Sequence, residues 1–175
     1  MNFTDIFKKK YTVSELNLLR FFARVPVFAS LSVDEMEVFL PFFHLRTYQA
    51  NEVVFFRNDP SKAFYVVKTG KIILNIDVNN DFEFLRNIKP ADSFGNDALL
   101  AGTHRHYNAI TANEACELYV LPQVNIADIF KHHPNITARV MTSLASIYQR
   151  HLDNIFKNYQ TSPGIFDLSK TYEED

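Results

Sequence analysis

The sequence predicts a mainly β domain flanked by helices, an α+β chain centred on a jelly roll or barrel-like sandwich. Two observations predict it. The hydrophobic pattern is helical up to about residue 41, has a period of two from about 42 to 122, and is helical again from there on. Within the middle block, short β-branched and aromatic runs alternate with turn signals, the pattern of many short antiparallel strands.

In the first block, "TVSELNLLRFFARV" places Thr12 and Glu15 at capping-box spacing, with Leu16, Leu19, Phe22 and Ala23 on one face. "SVDEMEVFLPFF" repeats the device with Ser32 and Glu35, and Pro41 is expected to end that helix. The strands expected next are "HLRTYQ", "EVVFF", "AFYVV", "KIILNIDV", "FEFLRNI", "YNAITA" and "CELYVL". Turns are expected around Asp59 and Pro60, Thr69 and Gly70, Asn79 to Asp81, and Pro90 to Asp92. After Pro122, "QVNIADIFKHH" reads as a short helix stopped before Pro134. A long helix from Pro134 to about Gln160 then carries Ile136, Val140, Leu144, Ile147, His151 and Ile155 in one stripe. Tyr148, Leu152 and Tyr159 widen it. The expected domain is a single unit, 1–162, made of N-terminal helices (1–41), a β-roll (42–122) and C-terminal helices (123–162), followed by an acidic tail (163–175).

Composition bounds the function. At 175 residues, 47% hydrophobic and with seventeen phenylalanines, the chain can bury a substantial core. A net charge of -2 argues against a dominant attraction to nucleic acid. No apolar run approaches the ~20 residues of a membrane span. The N-terminus lacks an apolar signal core, so a cytoplasmic protein is expected. Cys116 is the lone cysteine, which rules out an intrachain disulfide and a cysteine metal cluster.

Two stretches carry a family resemblance. "VVFFRNDPSKAFYVVKTGKIIL" resembles the "IFxxGDPxxxFYxVxxG" run of the cyclic nucleotide-binding domain family. "IKPADSFGNDALLAGTHRHYNAITANEACELYVLP" resembles its second half, with the phosphate-binding cassette "FGE-x-AL…R-[AST]-A". The specific points are Asp59, Pro60, Phe64, Tyr65, Gly70, Phe94, Gly95, Ala98, Leu99, Leu118 and Tyr119, within residues 15 to 160 or so. The resemblance implies a jelly roll of the double-stranded β-helix type, serving as a ligand-gated regulatory module. Its cassette turn directs N–H groups at the cyclic phosphate, a glutamate holds the ribose, and an arginine pairs with the phosphate. The helices after the roll respond to ligand.

The cassette departs from that pattern. Phe94, Gly95, Ala98 and Leu99 match. Asn96 stands where the glutamate belongs, able to hydrogen-bond but without charge. Asp97 stands at an apolar position. Its carboxylate suits a first helical turn and would occupy the anion site from within or repel a phosphate. At ~4 Å and an effective dielectric near 20, that repulsion is of order 4 kcal/mol. Counting forward from Gly95 assigns the arginine position to Arg105; counting back from Ala112 and Leu118 assigns it to His106. Both cannot face inward on an extended strand. Tyr107 and Asn108 replace small residues and would crowd a base. The plain readings are that Asn96 caps the turn, Asp97 is an ordinary helix-start acid, and Arg105 and His106 are solvated loop residues.

The expected function is therefore a non-enzymatic sensor. It binds a cyclic nucleotide weakly, or another small ligand, and signals through its C-terminal helix to an unknown protein partner. No resident cofactor is expected. The alternative is a ligand-free interaction scaffold, a homodimer joined through Leu144, Tyr148, Leu152, Ile155 and Tyr159. A remote third reading takes His104, His106 and Glu114 as a cupin-like metal set, although the spacing to Glu114 is too long. No helix-turn-helix follows the long helix, so direct DNA regulation is not expected and any signal passes to a separate partner.

Overall fold

The computed structural model describes residues 11–79 and 81–162. The expected tail (163–175), the N-terminal segment 1–10 and Asn80 of the predicted turn lie outside them.

Both N-terminal capping boxes form. Thr12 starts α1 (Val13–Phe22) and Ser32 starts α2 (Val33–Glu37), each hydroxyl accepting from the N–H of a glutamate that reaches back to the cap. Leu19 and Phe22 bury and Leu16 is half-buried, but Ala23 is exposed, because it is already the cap residue where the helix ends. Pro41 does not terminate α2. That helix stops at Glu37, and Pro41 lies instead in a separate 3-10 turn, Leu40–Phe42, where its missing N–H costs nothing. A second 3-10 turn, Pro26–Phe28, extends beyond the predicted helix.

The seven predicted strands all appear: β1 (His44–Tyr48), β2 (Val53–Phe55), β3 (Ala63–Thr69), β4 (Ile72–Val78), β5 (Asp81–Ile88), β7 (Asn108–Thr111) and β8 (Cys116–Pro122). An eighth, β6 (Ser93–Phe94), spans two residues, too few to show any period. They form two antiparallel sheets, ordered β1-β8-β3-β6 and β2-β7-β4-β5. Then come α3 (Gln123–His132) and α4 (Pro134–Thr161), 28 residues long. No described helix is long and apolar enough to cross a membrane.

The first sheet separates two cores. Tyr65, Val67, Leu118 and Val120 point into the roll, where Phe55, Ile72, Leu74, Phe94 and Ala109 meet them. Phe64, Val66 and Leu121 point the other way, into a helical core with Phe22, Phe28, Phe39, Ile126, Val140 and Leu144. β3 is thus buried on both faces, which is why "AFYVV" reads as a continuous apolar run. Aromatic rings bind the helices to the sheet: Phe22 meets Tyr119 at 5.1 Å, and Phe28 meets Phe64 edge-on at 5.5 Å. Cys116 is wholly buried at the start of the interior strand β8, its thiol donating to the Thr69 carbonyl.

Candidate functional site

The cassette turn is a four-residue 3-10 helix, Asn96–Leu99, entered through Gly95 in the left-handed region at φ 69°. Glycine is required there twice over. A Cβ would strain that backbone, and it would lie 2.7 Å from Arg105 Nη1 and 3.2 Å from the Ala63 carbonyl oxygen. Gly95 occupies the cap position, so Asn96 does not cap the turn; its Oδ1 accepts from Ser93 Oγ instead. Ala98 and Leu99 are buried in the helical core, which ties the turn to α3 and α4.

Arg105 faces inward and His106 is exposed. Long-range backbone bonds decide between them. Pro60 bridges His104, Asn58 N–H donates to the Arg105 carbonyl, and Arg105 N–H donates to the Asp59 carbonyl, both at 2.9 Å. The loop is held in strand-like alternation, so Arg105, Tyr107 and Ala109 share the inner side. The solvated-loop reading is right for His106 and wrong for Arg105, which is 3% exposed.

Asp97 is not a mere helix-start acid. It is 5% exposed, and its Oδ2 lies 3.0 Å from Arg105 Nη1 while also accepting from the Ser61 hydroxyl. Arg105 Nη1 donates further to the Gly95 carbonyl and Nη2 to the Ala63 carbonyl, at 3.2 and 2.6 Å. The Phe55 ring covers the guanidinium at 4.1 Å, with Tyr65 at 5.7 Å. Arg105 Nε is buried without a hydrogen-bond partner among the described residues. A charged pair this dry depends on the hydrogen bonds around it, and here Nη1 and Nη2 are satisfied while Nε is left over.

Tyr107 turns inward with Arg105, and its hydroxyl accepts the Gly95 N–H at 2.9 Å. Burial pushes the Tyr107 phenol up to about 12, against the lowering effect of that N–H. Asn108 is 2% exposed but points to the opposite face, donating to Asn75 and Asp77. It therefore stands outside the cluster that Gly95, Asp97, Arg105 and Tyr107 form; Phe94 packs in the roll's core, and Ala98 and Leu99 in the helical core. On α4, burial raises the Tyr148 pKa, and the Asp97 charge adds to it. His104, His106 and Glu114 are all exposed, and among the described residues no group of three or more His, Cys, Asp or Glu could hold a metal ion.

Ser61, Phe55 and the Ala63 carbonyl escape a reading of the sequence. Ser61 lies 36 residues from its partner Asp97, and nothing in the spacing of "NDPSKA" marks it.

The family described as cyclic nucleotide-binding domain matches residues 45–133, just over half of the chain. A curated relative, the cyclic AMP receptor protein of Thermus thermophilus, is 26% identical over 121 residues, covering 69% of this chain and 56% of that protein. The chain thus spans little more than half of that relative's length. Among solved structures, the Thermus thermophilus catabolite activator protein superposes with a TM-score of 0.66 at 24% identity, over 78% of this chain and 62% of that one. The regulatory domain of Toxoplasma gondii PKA, solved with cAMP, has a TM-score of 0.62 at 20% identity, over 69% and 46%. At such identities the structural likeness speaks for the fold.

Proposed function

Because this chain belongs to the cyclic nucleotide-binding domain family, we propose that it is a non-catalytic regulatory module whose phosphate-recognising cation, Arg105, is held in check by its own Asp97. The single observation that carries this reading is the buried Arg105–Asp97 ion pair, with side chains 2% and 6% exposed. A cyclic phosphate entering the cassette has to replace the Asp97 carboxylate at Arg105 and the Tyr107 hydroxyl at the Gly95 N–H. One anionic oxygen is exchanged for another, so little net gain remains and the affinity is weak. Relatives of the fold include a cyclic AMP receptor protein and a PKA regulatory domain with cAMP, which makes a cyclic nucleotide the first ligand to test.

The signal leaves through α4. Displacing Asp97 moves the turn whose Ala98 and Leu99 pack with α3 and α4. Titration calorimetry with cyclic AMP and cyclic GMP tests the reading. Wild-type protein is expected to bind in the range of tens of micromolar or weaker, roughly -6 kcal/mol or less. Submicromolar cyclic AMP binding by the wild type would falsify it.

A second reading, the dimer scaffold, draws on the far half of α4. Leu144 and Ile147 are buried against the domain, but Tyr148, Leu152 and Ile155 are 42, 41 and 47% exposed, an apolar stripe open to a second copy. The two readings are compatible: a dimer seam on α4 is a natural receiver for the cassette's movement. A cytoplasmic setting suits both.

A further inference from the structure

The outside of the second sheet carries a polar ladder beneath an open cavity. Leu74 and Ala109 turn into the roll's core, so Asn75, Asp77 and Asn108 stand on the opposite face. The register sets Phe84 beside Asn75 and Phe82 beside Asp77. Asn108 fixes this face from beneath, donating to Asn75 Oδ1 at 2.9 Å and Asp77 Oδ1 at 2.6 Å while accepting from Arg57 N–H at 2.7 Å.

Above that polar ladder opens a cavity of about 350 Å³, lined by Phe56, Arg57, Asp77, Asp81, Phe82 and Asn108. Its two rings are 56% and 68% exposed, and Phe84 and Leu85 continue the apolar surface along β5 at 61% and 46%. Arg57 reaches Asp77 only at 3.9 Å, with both side chains about half exposed, and Asp81 has no ion-pair partner among the described residues. Two carboxylates thus face one guanidinium between two open phenyl faces, a setting that favours a second cation. β5 is also the outermost strand of its sheet, paired with β4 alone and exposed from residue 81 to 87. Its free edge can accept another strand.

We propose that the β5 edge and this cavity form a docking site for another protein, which adds an extended segment beside β5 and seats a lysine or arginine side chain between Phe56 and Phe82, against Asp77 and Asp81. Charge complementarity selects the occupant: the cavity sets Asp77 and Asp81 against Arg57 alone, and Arg86 farther along β5 is already paired with Asp92, so a basic strand satisfies both the apolar edge and the excess acid. The site faces away from Arg105 and stands independently of what the cassette binds.

The probes are the peptides acetyl-Val-Lys-Val-Lys-Val-amide and its glutamate counterpart, followed by fluorescence anisotropy and by backbone amide shifts. The lysine peptide is expected to shift residues 81–87 and to lose affinity as salt rises. Phe82→Ala should weaken it about tenfold or more, and Asp81→Asn should weaken it less. Both side chains are exposed, so the fold survives either change. Equal binding of the glutamate peptide, or indifference to Phe82→Ala, overturns the proposal. Tetramethylammonium shifting the same residues with equal affinity replaces it with a small-ammonium site. Self-association of the wild type that Phe82→Ala abolishes replaces the partner with a second copy.

Discussion

Asp97 Oδ2 sits 3.0 Å from Arg105 Nη1, inside the turn whose amides would otherwise meet an anion. On the function proposed above, the carboxylate is a tethered competitor for the position a phosphate would take. Asp97→Leu removes it and leaves Arg105 buried without a counter-charge. The unliganded variant is expected to lose roughly 3–5 kcal/mol of stability. Cyclic AMP should restore most of that loss, with affinity raised at least about tenfold over wild type. Thermal denaturation with and without nucleotide measures both, and adding Asn96→Glu should strengthen binding further.

Breaking the pair from the other side is informative without any ligand. Arg105→Met strands the Asp97 carboxylate and should cost roughly 3–5 kcal/mol, while Arg105→Met with Asp97→Leu should recover the larger part. Urea unfolding of the four proteins gives the coupling energy. Additive losses would mean that the two charges act separately.

Alkaline stability reports on Tyr107. Burial raises its phenol from 10.0 to about 12, and raises the Cys116 thiol from 9.0 to about 11. A raised pKa means the folded state prefers the protonated form. The associated stability is complete below the unfolded values and is lost between pH 9 and 11 for Cys116 and between 10 and 12 for Tyr107. Tyr107→Phe should therefore flatten the decline above pH 10, read by urea midpoints at stepped pH.

The distal stripe of α4 is separable from the fold. Leu152 and Ile155 are 41% and 47% exposed, so Leu152→Asp with Ile155→Asp should give a folded protein. If a dimer forms there, charges in the seam are costly and the double variant sediments as a monomer. A wild type that is already monomeric at tens of micromolar would end the dimer reading.

Much of the fold is legible in the sequence, because capping boxes and hydrophobic period are local signals. Thr12 and Glu15, or Ser32 and Glu35, meet within one helical turn. Proline is less readable: Pro41 can stop a helix or begin a turn, and only the chain's path decides. At the site, Gly95 and the turn after it are visible, but the facing of Arg105 is not. It depends on backbone bonds to Asn58 and Asp59, which no local count includes. The same holds for Ser61, which completes the Asp97 carboxylate from a loop far away in sequence.

β3 has helices packed against Phe64 and Val66 on one side and the roll's interior against Tyr65 and Val67 on the other. A strand that is at once the floor of one core and the ceiling of the other cannot melt out of either alone. The helices and the roll therefore denature as one cooperative unit, and helical circular dichroism and tyrosine fluorescence should trace a single coincident transition.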